Sequence, residues 1–216
     1  MKSFFNLILF LGRISLFKIS ILKVAFTLPL YSAEIINQIY FLSLRCLVPV
    51  CSVVTAFGMV VAVQGLNILR IFGADYMVSG LLSVSLVREL CPCITCIMVS
   101  AQAGSGITAE IGAMRIKEEI DALSVMAVNP VKFLVVPRLV ALTISTILIN
   151  WTAQGCGIFG GYIVTVLQKG MSKGVFFENI YLFTGLSDII AGTIKACIYG
   201  FIIGLFSTYY GYFVTG

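Results

Sequence analysis

The 216-residue sequence contains no histidine, and that absence narrows its chemistry at once. Neither a Ser–His nucleophile pair nor a His-ligated metal can be built within the chain. Ser105 in Gly104-Ser105-Gly106 therefore lacks the base that an intramembrane serine hydrolase would need. Charge is scarce too: 11% of residues are Asp, Glu, Lys or Arg, against about 25% in a soluble domain. No GxxxxGK[ST] phosphate loop occurs, so ATP-driven work would need an ATPase on another chain. The seven cysteines lie mostly inside apolar runs, where Cys behaves as a small hydrophobe, and their odd number argues against a disulfide scaffold. Cys91, Cys93 and Cys96 sit close together, but three thiols without a fourth ligand are a poor metal site. No metal and no cofactor are expected.

What is present is apolar residue in excess. Hydrophobic residues make up 60% of the chain, the mean hydropathy is +1.08, and a soluble fold of about 45–50% apolar composition has no place for that surface. Uncharged stretches of the length that crosses about 30 Å of hydrocarbon run from Cys46 to Leu69, Leu90 to Ala109, Leu139 to Gln168 and Ala196 to Gly216. The expected fold is an all-α integral membrane protein with about four transmembrane helices. The third stretch exceeds the need of a bilayer, so a bend, tilt or extension is expected near Gly155 to Gly161. The fourth helix is expected to start near Asp188, with Lys195 buried among helices or snorkelling to an interface.

Residues 1–45 mix apolar residues with Lys2, Arg13, Lys18, Lys23, Glu34 and Arg45, which suits interfacial helices better than a span. The alternative is an ordinary first transmembrane helix from Phe4 to about Leu30. A cleaved signal peptide is not expected, because cations follow the apolar run Phe4 to Leu11 at once and no small-x-small site appears. The division is then 1–45 as an N-terminal interfacial region and 46–216 as the transmembrane domain.

Cations set the orientation. The N-terminal arm carries Lys2, Arg13, Lys18, Lys23 and Arg45, and the 110–138 loop carries Arg115, Lys117, Lys132 and Arg138, while the two other loops hold Arg70 with Arg88 and Lys169 with Lys173. The two richer sets should be cytoplasmic. The net charge of +5 is read as this retention of Lys and Arg rather than as nucleic-acid binding.

Two patterns inside the spans point to assembly. Small residues recur every fourth position: Cys96, Ser100, Gly104, Thr108 and Gly112; Ala153, Gly157, Gly161 and Thr165; Gly192, Ala196, Gly200, Gly204 and Thr208. Such faces allow close helix packing in lipid, within one chain or between two copies. The segment Glu110 to Pro130 reads as a short amphipathic helix stopped by Asn129-Pro130. Its apolar stripe is Ile116, Ile120, Leu123 and Ala127, and Arg115 with Glu119 and Lys117 with Asp121 are spaced to pair one turn apart. On periodicity alone it serves equally as a partner-docking helix or as a connector on the membrane surface.

Ordered motifs in the middle of the chain resemble the MlaE (YrbE-like) permease family. They are Arg88-Glu89-Leu90-Cys91-Pro92, Ala103-Gly104-Ser105, Ala109-Glu110-Ile111-Gly112-Ala113-Met114, Glu118-Glu119-Ile120-Asp121-Ala122-Leu123 and Phe133-Leu134-Val135-Val136-Pro137-Arg138, with Tyr209-Tyr210-Gly211-Tyr212 similar to the end of the family's fourth span. The residues carried over from these motifs are Arg88, Glu89, Pro92, Gly104, Ser105, Glu110, Gly112, Pro130, Pro137 and Arg138. The resemblance implies a non-enzymatic permease that moves phospholipids or related lipids between membranes, as a homodimer with two cytoplasmic ABC ATPase subunits and an MCE-domain lipid-binding protein. It implies an ATPase-coupling helix made by Arg115, Lys117, Glu118, Glu119, Ile120, Asp121 and Leu123, and a bacterial inner membrane or a plastid inner envelope as the location. Helix packing, within the dimer or the subunit, would use Gly157, Gly161, Gly200 and Gly204. The chain departs from the family where Cys91-Pro92 stands for the usual Gly-Pro and Ala101-Gln102 for the usual Gly-Arg, and the family's fifth span would lie past Gly216. A stand-alone secondary transporter or a lipid-binding membrane scaffold without ATP coupling is the alternative. The interiors of the three long spans outside Lys195 hold no acid, which leaves the former few coupling groups.

Overall fold

The computed structural model describes residues 32–214 together with Gly12, Phe17, Lys18 and Ile21. Four helices among these residues are long and apolar enough to cross a membrane. Helix α1 covers Ser32–Ile71, α2 Asp75–Ile116 and α4 Val131–Gln168, and α6 Leu186–Tyr212. Two short helices join them: α3, Glu119–Val125, between α2 and α4, and α5, Lys173–Phe183, between α4 and α6. At 1.5 Å per residue, the 42 residues of α2 extend about 63 Å, roughly twice the hydrocarbon thickness. The longest helices therefore project beyond the bilayer.

Sequence explains where the helices begin and how they are modulated. α1 runs through residues 45 and 46 without interruption. The change at Arg45 from mixed to uncharged sequence thus marks a change of surroundings along one helix, not an element boundary. Most of residues 1–31, on which the expectation of interfacial helices rests, lies outside the described residues. Phe17 and Ile21 are buried in a cluster with Val135, Val136, Leu139, Leu205 and Tyr209, which seats these two residues against the start of α4 and the end of α6. α2 begins at Asp75 rather than at the uncharged stretch, and so carries Arg88 and Glu89 inside a helix. Two π-helical turns, Leu86–Leu90 and Ser100–Gly104, interrupt its α-helical ladder. A π turn adds a residue and rotates the helix beyond it, and such turns recur at functional sites.

The region Gly155 to Gly161, expected to bend, to tilt or to reach out of the hydrocarbon, is continuous α-helix within Val136–Tyr162, so the helix is not broken there. Its glycines serve a helix crossing. A Cβ on Gly58 of α1 would collide with the carbonyl of Gly157, and one on Gly160 with the carbonyl of Thr55. Backbone meets backbone there, which only glycine permits. α4 packs along α1 on one side and α6 on the other, while α6 also packs on α2.

α6 shows the division of faces plainly. Gly192, Ala196, Gly200, Gly204 and Thr208 are buried or nearly so against the bundle, whereas Ile194, Ile198, Ile202 and Phe206 face outward. Both rows step by four residues, so one face is smooth for packing and the other bulky for lipid. The inward row meets its own chain: a Cβ on Gly200 would lie 2.8 Å from Thr146 Oγ1, and one on Gly204 3.4 Å from Leu139 Cγ. On α4, Gly157 faces Val54 and Leu86, and Gly161 faces Leu82. A second copy expected to dock on these ladders would find them already filled by helices of the same subunit.

Candidate functional site

Ions inside a bilayer are costly unless paired, so the charges carried within α2 and α6 stand out as a site. They meet at the first π turn. Lys195 Nζ on α6 donates to Glu89 Oε1 at 2.6 Å and to the Arg88 carbonyl oxygen at 3.2 Å. That carbonyl is available because Pro92, four residues on, has no N–H to offer it. Arg88 approaches Asp188 Oδ1 at 3.9 Å and Glu89 at 4.0 Å. Two cations and two carboxylates thus form one electrically balanced group, with Asp188 the most enclosed and Arg88 and Glu89 more than half exposed. Gly192 lets the helices close around it, since a Cβ there would sit 2.5 Å from the Val87 carbonyl. The group can present a cation and an anion side by side to a zwitterionic ligand.

Sequence motifs single out Arg88, Glu89 and Pro92 of this group, whereas Lys195 and Asp188 stand in the sequence only as features of a helix start. The signal that could have joined them is a lysine alone in an apolar run, which needs a carboxylate from another helix.

The remaining motif residues gather at the other end of the bundle, where α2 ends, α3 lies and α4 begins. Ser105 donates to the Ala101 carbonyl at 2.5 Å across the second π turn, and a Cβ on Gly104 would meet Ser207 Oγ at 2.9 Å. Thr108 donates to the Ser207 carbonyl at 3.0 Å, so α2 and α6 are joined there by polar as well as steric contact. Gly112 faces Val214. Glu110 and Arg138 form an ion pair of 2.7 Å between α2 and α4, placed by Pro137 in the first turns of α4. Pro130 precedes that helix, and the Asn129 side chain accepts from the Val131 and Lys132 amides at its start. Among the described residues, no group of three or more His, Cys, Asp or Glu is assembled to hold a metal.

The α3 connector corrects two expectations. α2 stops at Ile116, and Glu118 takes a left-handed conformation with φ of 61° before the chain re-enters a helix. Helical spacing across residues 115–121 is therefore broken. Arg115 pairs with Asp121 at 2.6 Å instead of Glu119, and among the described residues no ion pair joins Lys117 to Asp121. The apolar stripe is split as well. Ile120 is 1% exposed inside the core and Leu123 packs partly against it, whereas Ile116 is 61% exposed. The apolar residues that α3 and its flanks leave open are Ile116, Val125 and Met126, the last two 88% and 63% exposed, beside exposed Lys117, Glu118 and Glu119. Ile120 and Leu123 anchor α3 to its own subunit; the outward face is a different set.

Comparison with known proteins identifies the family. A family model described as Permease MlaE matches residues 35–216. A probable ABC transporter permease protein of Rickettsia bellii is 32% identical over 204 residues, covering 94% of this chain and 78% of that protein. The intermembrane phospholipid transport system permease protein MlaE of Haemophilus influenzae is 32% identical over 179 residues, covering 82% and 69%. The chloroplastic protein TRIGALACTOSYLDIACYLGLYCEROL 1 of Arabidopsis thaliana is 27% identical over 168 residues, covering 77% and 48%. With four bilayer-length helices among the described residues and a family match over most of its length, the chain belongs to the MlaE permease family and is a transporter membrane subunit, not an enzyme.

Proposed function

We propose that the chain is the permease of an ABC system that moves phospholipid between membranes, in a bacterial inner membrane or a plastid envelope. The relative from Haemophilus influenzae is named for intermembrane phospholipid transport. The observation in this chain that carries the reading is the balanced group of Arg88, Glu89, Asp188 and Lys195 where α2 meets α6. A phospholipid headgroup carries a phosphate and commonly an amine, and the group offers a partner to each. The 110–138 loop faces the cytoplasm by its cations, which puts the four charges near the opposite surface. Ile116, Val125 and Met126, rimmed by Lys117, Glu118 and Glu119, form the patch that meets a cytoplasmic ATPase subunit, with charges steering and apolar side chains anchoring. A second copy of the chain and an MCE-domain protein on the far side complete the assembly.

Reconstitution of the chain with its ATPase and MCE-domain partners in proteoliposomes tests the proposal. ATP-dependent movement of a fluorescent phospholipid is expected, and it should fall in Glu89→Gln. A chain that recruits no ATPase, or moves lipid equally well without ATP, would overturn the reading. The secondary-transport alternative would rest on Glu89 as the coupling acid, but that carboxylate is engaged by Lys195.

A further inference from the structure

The two π turns of α2 differ in how they close. In such a turn an amide donates five residues back instead of four, so one carbonyl loses its usual donor. At the second turn the Ser105 amide donates to the Ser100 carbonyl, and the Ser105 hydroxyl donates to the Ala101 carbonyl that this leaves over. At the first turn the Cys91 amide donates to the Leu86 carbonyl, and the next residue, Pro92, has no N–H to give. The Val87 carbonyl is thereby left without a helical donor. Cys91 offers only an S–H, a weak donor, where the second turn has a hydroxyl. The Arg88 carbonyl, one residue on, is met by Lys195.

A donor without a partner stands opposite that carbonyl. The point that a Cβ on Gly192 would occupy lies 2.5 Å from the Val87 oxygen and 3.5 Å from Gln154 Nε2, so oxygen and amide face each other past the bare side of Gly192. Gln154 is 8% exposed, and its Nε2 is enclosed with no hydrogen-bond partner. One turn earlier on α4, Asn150 is fully buried and both atoms of its amide are unpartnered too. Amides buried in this way are costly in a bilayer, where no bulk solvent can satisfy them. Two neutral amides and a carbonyl hold no charge to attract an anion or to neutralise a cation, and Lys195 beside the turn opposes the latter. Water suits all three groups. It donates to the Val87 carbonyl, accepts from Gln154 Nε2 and passes a further bond to Asn150, close to the roughly three bonds of a typical buried water. We infer that the first π turn of α2 holds bound water between the Val87 carbonyl and the Gln154 and Asn150 amides, an interior hydration site that ties α2 to α4 behind the backbone carrying Arg88 and Glu89. The site depends on the folded bundle alone, so it stands or falls apart from the proposed function.

Two readouts test it. In an experimental structure of the chain at a resolution that shows ordered water, density is expected within hydrogen-bond distance of both the Val87 oxygen and Gln154 Nε2. In nanodiscs, Asn150→Leu and Gln154→Met, which replace each amide by an apolar side chain of similar size, should each lower the thermal midpoint, by about 2–4 °C for one net hydrogen bond. The sign is decisive. An amide that is dry and unpartnered is removed with a gain in stability, so the midpoint would then rise. A rise or no change in either variant would overturn the inference. Loss of stability through packing damage is told apart by the density: if the unaltered chain shows no water between the two atoms, the inference fails whatever the midpoints do.

Discussion

Single residues show how this chain keeps ions in an apolar bundle. Lys195 contributes an ammonium from which Glu89 and the Arg88 carbonyl both accept, so Lys195→Met would leave Glu89 with only the 4.0 Å approach of Arg88 and that carbonyl without its donor. Removing one partner of such a pair is more harmful than never having it. Lipid transfer is expected to fall by roughly tenfold or more in Lys195→Met, the scale of one lost charge-assisted bond, and the exchanged pair Glu89→Lys with Lys195→Glu should recover part of it. Recovery in a transfer assay would separate pairing from a need for each charge at its own place. Gly200 tests packing in the same way. Its missing Cβ leaves room for Thr146 at 2.8 Å, and Gly200→Leu should lower the thermal midpoint of the detergent-solubilised monomer, at a cost of about 1–3 kcal/mol from overpacking. A midpoint unchanged in the monomer, with assembly alone impaired, would return this face to a second copy.

At the scale of the element, much was legible and the failures have local causes. Uncharged runs located all four long helices because nothing else in a bilayer satisfies their backbone. The start of α2 was misplaced because Arg88 and Glu89 are tolerated inside the helix by pairing across to α6, and a partner distant in sequence leaves no periodic trace, whereas α6 begins at Leu186, close to the expected start near Asp188. α3 was recognised, but its facing was not, because helical periodicity assumed one continuous turn through Lys117 and Glu118. The left-handed residues on either side of it, Glu118 at 61° and Ala127 at 59°, reset the phase. After α3 the Ala127 amide donates to the Ser124 carbonyl and the Val128 amide to the Leu123 carbonyl, an arrangement that usually has glycine where Ala127 stands. Ala127→Gly should therefore stabilise the connector by about 1 kcal/mol, measurable as slower hydrogen exchange of the α3 amides. Slower exchange should leave ATPase recruitment intact, whereas Glu118→Lys with Glu119→Lys should weaken it, because those two side chains are exposed at the open face of α3.

The whole molecule is longer than the membrane it crosses, and that excess decides where its partners can reach it. If the uncharged part of α2 beyond Glu89 occupies the hydrocarbon, the segment from Asp75 to about Leu86 stands outside it with α5. There Asn179 of α5 donates to the Tyr76 carbonyl at 2.7 Å and Thr184 to Ser83 Oγ at 2.6 Å, while Tyr162 and Phe176 meet edge to face with ring centroids 5.4 Å apart. These contacts fix α5 as a cap on the end opposite α3, and its Tyr181 and Leu182 point outward. Aromatic and aliphatic side chains at such a level suit a membrane interface. The two ends should therefore be distinguishable by a reagent that does not cross the bilayer. In a Cys93→Ser background, which removes the exposed native thiol, Lys117→Cys should react with a membrane-impermeant maleimide only from the cytoplasmic side, and Tyr181→Cys only from the other. Both positions are exposed on the protein, and reaction of each after detergent solubilisation is the control that assigns a failure to react in the membrane to sidedness. Reaction of both from one side would break the four-helix crossing, because α4, the one long helix between α3 and α5, would then fail to span. Reaction at Lys117→Cys from the outside and Tyr181→Cys from within would keep the crossing and invert it, moving the open face of α3 away from any cytoplasmic ATPase.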